Sequence, residues 1–176
     1  MNSFEIFYYI CITINNKRKI LKMEKVLTMP IKDFRQFVID EIKRSFVETQ
    51  NVKKGCVMLN DKSQLIAFPL VMRNAMEQQI VEHVLIPDRV KEVNAQCVAV
   101  IADSTLKVEN KVTDQSVIID VVTVLIETKT SAEVIIWEII KEDDTLILVL
   151  REDLSKLLRI AGKYLNVVVM GGASLN

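Results

Sequence analysis

Three carboxylates and one histidine are the side chains of this sequence best suited to acid–base chemistry. They are Asp103, Asp120, Glu138 and His83, the only histidine of the 176-residue chain. If a hairpin with a three-residue loop joins the strands that contain Asp120 and Glu138, these two carboxylates become diagonal neighbours on one face of the sheet. An apolar setting would drive the pKa values of the two carboxylates apart, which suits acid–base work. Together with Asp103, the same carboxylates would be able to hold a divalent cation. An even-length loop would place them on opposite faces and remove this site.

Other catalytic machinery is missing from the sequence. A single histidine excludes metal sites that need two or three, and no G-x-S-x-G, G-x-G-x-x-G or P-loop motif occurs. His83 would act as a base only beside a nucleophile such as Cys56, Cys97 or Ser104, and sequence cannot place one there. We therefore expect no cofactor and no dedicated metal site, and the catalytic residues stay unknown.

The cysteines and the charge balance restrict the class of protein further. Cys11, Cys56 and Cys97 are an odd number of widely spaced thiols, which predicts buried, inert cysteines in a reducing cytoplasm. The formal net charge is zero, with a basic N-terminal third: residues 1–54 hold 11 Lys or Arg and 6 Asp or Glu. A neutral chain disfavours nucleic acid as the partner, because phosphate recognition needs an excess of basic residues.

The stretch from Ser116 to Leu150 positions most of these residues. Runs rich in Val, Ile and Leu are typical of strands, and we predict a three-strand meander over Val117–Thr128, Ala132–Lys141 and Thr145–Leu150. Its predicted turns are Lys129–Ser131, with three residues, and the acidic segment 142–144. Apolar residues on both parities of the first and third strands require cover on both faces or a central position in the sheet.

The segments before the meander have helical and strand patterns of their own. Ile31–Glu48 has an apolar stripe at helical spacing, and 55–59 and 64–70 form a predicted hairpin with Pro69 at an edge or end. Asn74 caps a predicted helix that stops at Pro87, and Pro87 is an alternative start for a short helical turn through Asn94. We predict a short strand at 96–102, a long polar loop at 103–116, and a short helix after Glu152–Asp153.

The first residues of the chain differ from the rest in composition. Residues 1–28 are expected to be an N-terminal extension, either a strand or a piece upstream of the natural start, and residues 29–176 a single α+β domain. The apolar run 4–14 is too short for a membrane-spanning helix, and a membrane is an expected partner only if this run acts as an anchor.

These patterns predict an α+β fold: a curved antiparallel sheet built on the C-terminal meander, with two or three helices packed on one face. The function expected first is a non-enzymatic, cytoplasmic interaction or assembly protein that binds itself or another protein through its sheet. Ile135, Trp137 and Ile139 are the predicted interface. One alternative is a small-molecule-binding or hydrolytic domain with a carboxylate-lined pocket on the concave face of the sheet. Another is weak nucleic-acid binding by the basic N-terminal third, whose predicted helix also has a basic face of Arg35, Lys43 and Arg44 that could dock an acidic partner.

Overall fold

One antiparallel sheet with helices packed against it forms the fold. The computed structural model describes residues 27–110, 115–157 and 164–165. Its elements are, in order, α1 Ile31–Thr49, β1 Gly55–Asn60, β2 Leu65–Pro69, α2 Ala75–Ile80, a π-helical turn Val81–Leu85, α3 Ile86–Glu92, β3 Ala95–Asn110, β4 Gln115–Thr128, β5 Ala132–Glu142, β6 Thr145–Leu150 and α4 Glu152–Leu157. The predicted α+β class is confirmed.

The six strands lie in the order β2-β1-β3-β4-β5-β6, and each neighbouring pair is antiparallel. The sheet curls into a half-barrel. The predicted meander is confirmed as β4, β5 and β6, and its third strand has the predicted bounds. Pro69 lies at the end of β2, an edge strand, where its missing N–H removes no ladder bond from a neighbour.

Two apolar cores cover the two faces of the sheet. The face that packs on α1 is called the α1 face, and its core takes alternate residues of five strands together with the α1 stripe. The buried residues of that stripe are Phe34, Val38, Ile39, Ile42 and Phe46. The other face packs on the π turn and α3 through Val81, Ile86 and Val90. Because the central strands have apolar side chains on both faces of the sheet, the second face also needs a covering layer of helices.

The predicted stop of the second helical segment at Pro87 is wrong, whereas the predicted helical turn from Pro87 towards Asn94 corresponds to α3. Asn74 Oδ1 accepts the N–H of Glu77, which is the predicted cap, and α2 then widens into the π turn. The N–H of Ile86 donates to Val81 O, and Pro87 lies in the first turn of α3. A proline ring clashes with the carbonyl four residues earlier in a regular helix, and a widened turn before Pro87 relieves that clash.

The turn between β4 and β5 is one residue shorter than predicted. Thr128 N donates to Ser131 O at 2.8 Å, so the loop consists of Lys129 and Thr130. Thr128 Oγ1 accepts the N–H groups of Thr130 and Ser131 at 3.2 and 3.0 Å. This side chain satisfies the turn without the glycine or asparagine that a tight hairpin usually needs.

The predicted loop at 103–116 is wrong. Its residues extend β3 to Asn110 and begin β4 at Gln115. Leu106 faces Ile119 and Val108 faces Val117 across the ladder, so apolar residues that looked isolated in the sequence form cross-strand pairs.

The described chain begins beside β2. Thr28 forms a bridge with Gln64, and Leu27 O accepts the N–H of Leu65 at 2.9 Å. The predictions for the apolar run 4–14 and for Cys11 lie outside the described residues. Within the described ranges, no helix has the length and apolar character needed to cross a membrane.

Candidate functional site

The predicted carboxylate site is not assembled. The two-residue turn pairs Val121 with Glu138 and Val122 with Trp137. Asp120 therefore lies on the α1 face and Glu138 on the opposite face, which is the arrangement expected for an even-length loop. Asp103 and Asp120 do share a face as diagonal neighbours, but both are exposed. The predicted carboxylate pair therefore lacks the shared apolar environment on which its acid–base role depended.

Ion pairs occupy two of these carboxylates. Asp103 pairs with Lys54. Glu138 Oε2 accepts from Arg151 Nη1 at 2.5 Å, and the other guanidinium nitrogens bind Asp153. These contacts raise the pKa of Arg151, first through Asp153 and then through Glu138. Glu138 is thus part of a surface network that joins β5 to the start of α4.

The histidine and the described cysteines are far from catalytic geometry. His83 is exposed on the π turn. Cys56 and Cys97 are free and buried, as predicted. Burial raises the pKa of Cys56 and brings that of Cys97 to about 11, so both thiols stay protonated at neutral pH and are poor nucleophiles. In the described part of the chain, no group of three or more His, Cys, Asp or Glu residues is placed to hold a metal ion.

The residues predicted as an interface belong to the core. Trp137 is 2% exposed and Ile135 6% exposed, and both pack in the α1-face core, with Ile139 partly buried beside them. Their side chains contact residues of the same molecule, so a surface for self-association has to come from other residues of the sheet.

The predicted basic face is largely engaged in ion pairs. Arg35 Nε donates to Glu133 Oε1 at 2.6 Å, which joins α1 to β5, and Arg44 pairs with Glu41 within α1. Lys43 is exposed. These contacts neutralise much of the charge that an acidic partner would recognise.

A cleft of about 400 Å³ lies between the start of α1 and the β4–β5 turn. Lys32, Arg35 and Lys129 contribute positive charge to its lining, and Glu133 opposes them. Arg35 already binds Glu133 across this cleft, and the hydroxyls of Thr128 and Ser131 bind each other within the turn.

A buried glutamate was missed by the sequence analysis. Glu127 is 0% exposed on the face opposite α1, and its Oε2 accepts the backbone N–H groups of Tyr164 and Leu165 at 2.8 and 3.0 Å. Burial raises the pKa of Tyr164. The carboxylate thereby anchors a later part of the chain to the sheet, which is a structural role. The available signal was its parity, since Glu127 shares a strand face with Val121 and Leu125.

A two-stranded arm is the most unusual surface of the described molecule. It consists of residues 103–110 of β3 and 115–120 of β4. Pairing of β3 with β1 ends at Ile101, and pairing of β4 with β5 begins only at Val121. Within the described residues, the arm strands are therefore paired with each other and with no further strand up to Ile119, while Asp120 lies against Ile139 at the end of the β4–β5 ladder.

Large apolar side chains lie open to solvent on this arm. Ile118 is 72% exposed and Val117 57% exposed. A two-stranded ribbon without a packed face is marginally stable in water, and unpaired strand edges are templates for another strand. The arm thus combines exposed apolar side chains with little packing on the rest of the sheet.

Comparisons with protein-family models, with curated proteins and with solved structures found no match to this chain.

Proposed function

We propose that this chain is a non-enzymatic assembly protein that associates with itself through its sheet. The observation that carries the proposal is the β3–β4 arm, which combines unpaired ladder edges with exposed Val117 and Ile118. Contact with a second copy would cover both features.

The chemistry of the described residues favours binding over catalysis. The carboxylates Asp120 and Glu138 are separated by the sheet, and the Cys56 and Cys97 thiols are buried and protonated. The alternative of a carboxylate-lined pocket on the concave face loses the geometry on which it depended.

Light scattering coupled to size-exclusion chromatography tests this function. The full chain is expected to change from monomer to oligomer as its concentration rises through the micromolar range, since a short edge contact gives a weak interface. A mass equal to one chain at every concentration would contradict the proposal. A titration with single-stranded and duplex nucleic acid at two salt concentrations separates it from the nucleic-acid alternative, which requires salt-dependent binding.

A further inference from the structure

We infer that two copies of this chain associate face to face through the arm, using the face of the arm that lies opposite α1. This inference rests on the proposed function and names the surface that makes the contact. The partner is a second copy, which presents the same surface. That surface is called the arm patch, and it consists of two cross-strand pairs, Leu106 with Ile119 and Val108 with Val117.

The register of the arm determines which side chains share this face. Ile101 of β3 and Val122 of β4 belong to the α1-face core, and successive side chains of a strand alternate between the two faces. Pairing of β3 with β4 continues without a shift into the arm, so the alternation continues as well. The even-numbered residues of β3 and the odd-numbered residues of β4 therefore lie opposite α1, and they include the whole arm patch.

The charged side chains of the arm are separated from this patch by the same alternation. Along 102–108 and 116–121, the charged residues lie on the α1 face, and they are Asp103, Lys107 and Asp120. The face opposite α1 carries, besides the patch, only Ala102, Ser104 and Val121. Glu138 borders this face where it meets the body, and Arg151 binds its carboxylate there. The arm patch is thus an uncharged apolar surface.

The packed body leaves the patch without cover. Among the residues that the structure describes, neither apolar core includes a residue of the patch. Val117 is 57% exposed, and the other three side chains are partly buried. A two-stranded ribbon gains stability when one of its faces is packed, and contact with another apolar surface would supply that packing.

A second copy fits this patch better than a charged partner does. In a two-fold contact each copy presents the same surface, so a charge within it would face its like or lose its hydration. The patch avoids both costs because it contains no charged side chain. An acidic peptide or a nucleic acid would find no cation within the patch to pair with its own charge.

The open edges of the arm offer a shorter contact than its face. The β4 edge is open only up to Ile119, because Asp120 lies against Ile139 at the end of the β4–β5 ladder. At the base of the β3 edge, Lys54 pairs with Asp103. Charged side chains along a strand edge oppose pairing with a further strand. These features favour the face as the main contact.

The size of the patch predicts a weak dimer. Two strands about 4.8 Å apart and roughly six residues long present a face of about 10 by 20 Å. Such a face is much smaller than the roughly 800 Å² per partner that a standard stable interface buries. Association is therefore expected to depend on concentration in the micromolar range.

Two neighbouring lysine substitutions test the choice of face. Val117→Lys is expected to weaken self-association by about tenfold or more, because it brings two cations into an apolar contact. Ile118→Lys, on the α1 face of the same strand and 72% exposed, is the matched control. It should change the dissociation constant by less than about twofold. Sedimentation equilibrium of the full chain measures both constants, and thermal midpoints equal to that of the wild type will show that the variants fold.

Thiol protection is a second measurement, made with small substitutions that the fold tolerates more readily than lysine. In a Cys11→Ser background, Val117→Cys is expected to react with a maleimide more slowly as the protein concentration rises through the range of association. Ile118→Cys should react at the same rate at every concentration. Because Cys56 and Cys97 are buried, the introduced thiol is the one expected to react.

The outcomes separate the inference from the proposed function. A wild-type chain that stays monomeric overturns both. An oligomer that Ile118→Lys weakens as much as Val117→Lys does, or one that leaves the thiol of Val117→Cys unprotected, keeps self-association and overturns the arm patch. Protection that is equal at every concentration assigns the patch to another segment of the same chain and also overturns it. Selective weakening by Val117→Lys, with concentration-dependent protection, supports the inference.

Discussion

At the scale of single residues, Glu127 illustrates how burial changes the role of an acidic side chain. It lies 0% exposed within a sheet whose other inward side chains on this face are mostly apolar, and two backbone N–H groups bind its Oε2. A buried carboxylate is stable only when such donors compensate for its lost hydration. Its hydrogen bonds hold residues 164–165 against the sheet.

Replacing Glu127 with alanine should therefore destabilise the protein strongly. The N–H groups of Tyr164 and Leu165 would lose their acceptor, and we expect the free energy of unfolding to fall by about 2–4 kcal/mol. Urea denaturation measures this loss. Glu127→Gln keeps one acceptor oxygen and should lose less. Glu48→Ala, at an exposed position of α1, is the control. A loss no larger than that of the control would show that the buried acceptor is dispensable.

Asp153 predicts an acid-dependent loss of stability. The Arg151 guanidinium holds the pKa of Asp153 at about 2, below its ordinary value of 3.8. The ionised carboxylate therefore stabilises the folded state above the unfolded pKa, and this contribution disappears as the pH falls from about 4 towards 2. Denaturation curves over this range should be less pH-dependent for Asp153→Asn than for wild type. Parallel pH profiles for the two proteins would refute the role of this pair.

At the scale of elements, the short helix α4 completes an edge that β6 leaves open. After Leu150 the chain turns, and Arg151 N donates to Ile136 O at 2.8 Å. Ser155 Oγ then accepts the N–H of Ile136 at 3.1 Å and donates to Arg151 O at 2.9 Å. Because Ile136 is fully buried, its N–H needs this partner, and α4 gains its position from the sheet.

Removing the hydroxyl of Ser155 should weaken this edge. In Ser155→Ala the N–H of Ile136 loses its acceptor, and we expect a loss of about 1–3 kcal/mol in the free energy of unfolding. Amide hydrogen exchange should quicken at Ile136 more than at Val124, which lies within the central ladder. Serine to alanine at Ser104, an exposed arm position, is the matched control. An equal acceleration of exchange at Ile136 and Val124 in the variant would argue against a local role for the hydroxyl.

At the scale of the whole molecule, the arm and the packed body differ in how much apolar surface they bury. The cores that stabilise the body use β3 up to Ile101 and β4 from Val121 onwards, so the arm beyond these residues contributes little buried apolar surface. The same two strands thus contribute to the core over one part of their length and to the proposed self-association over the other.

Shortening the arm should separate these two properties. A chain in which residues 105–120 are replaced by a tight Asn-Gly turn, which joins the paired residues Ser104 and Val121, is expected to unfold within about 1 kcal/mol of wild type, since few core contacts are lost. It should also be monomeric at concentrations where the wild type associates. Parallel denaturation and light-scattering measurements check both expectations. A shortened chain that fails to fold would show that the arm belongs to the core.

The sequence by itself determined the local elements. β-branched runs defined the three strands of the meander, with Thr145–Leu150 matching at both ends, and the apolar stripe from Phe34 to Phe46 defined α1. These predictions succeeded because each depends on the spacing of nearby residues.

Only the tertiary structure decided the register and the exposed surfaces. Hydrogen bonds from Thr128 shortened one turn by a residue, and that change moved Glu138 to the face opposite Asp120. The burial of Trp137 under α1, and the exposure of Ile118 on a strand whose partner segment was expected to be a loop, likewise depend on which distant strands pair. Residue spacing specifies which side chains share a face of one strand, whereas contacts across the whole fold decide what covers that face.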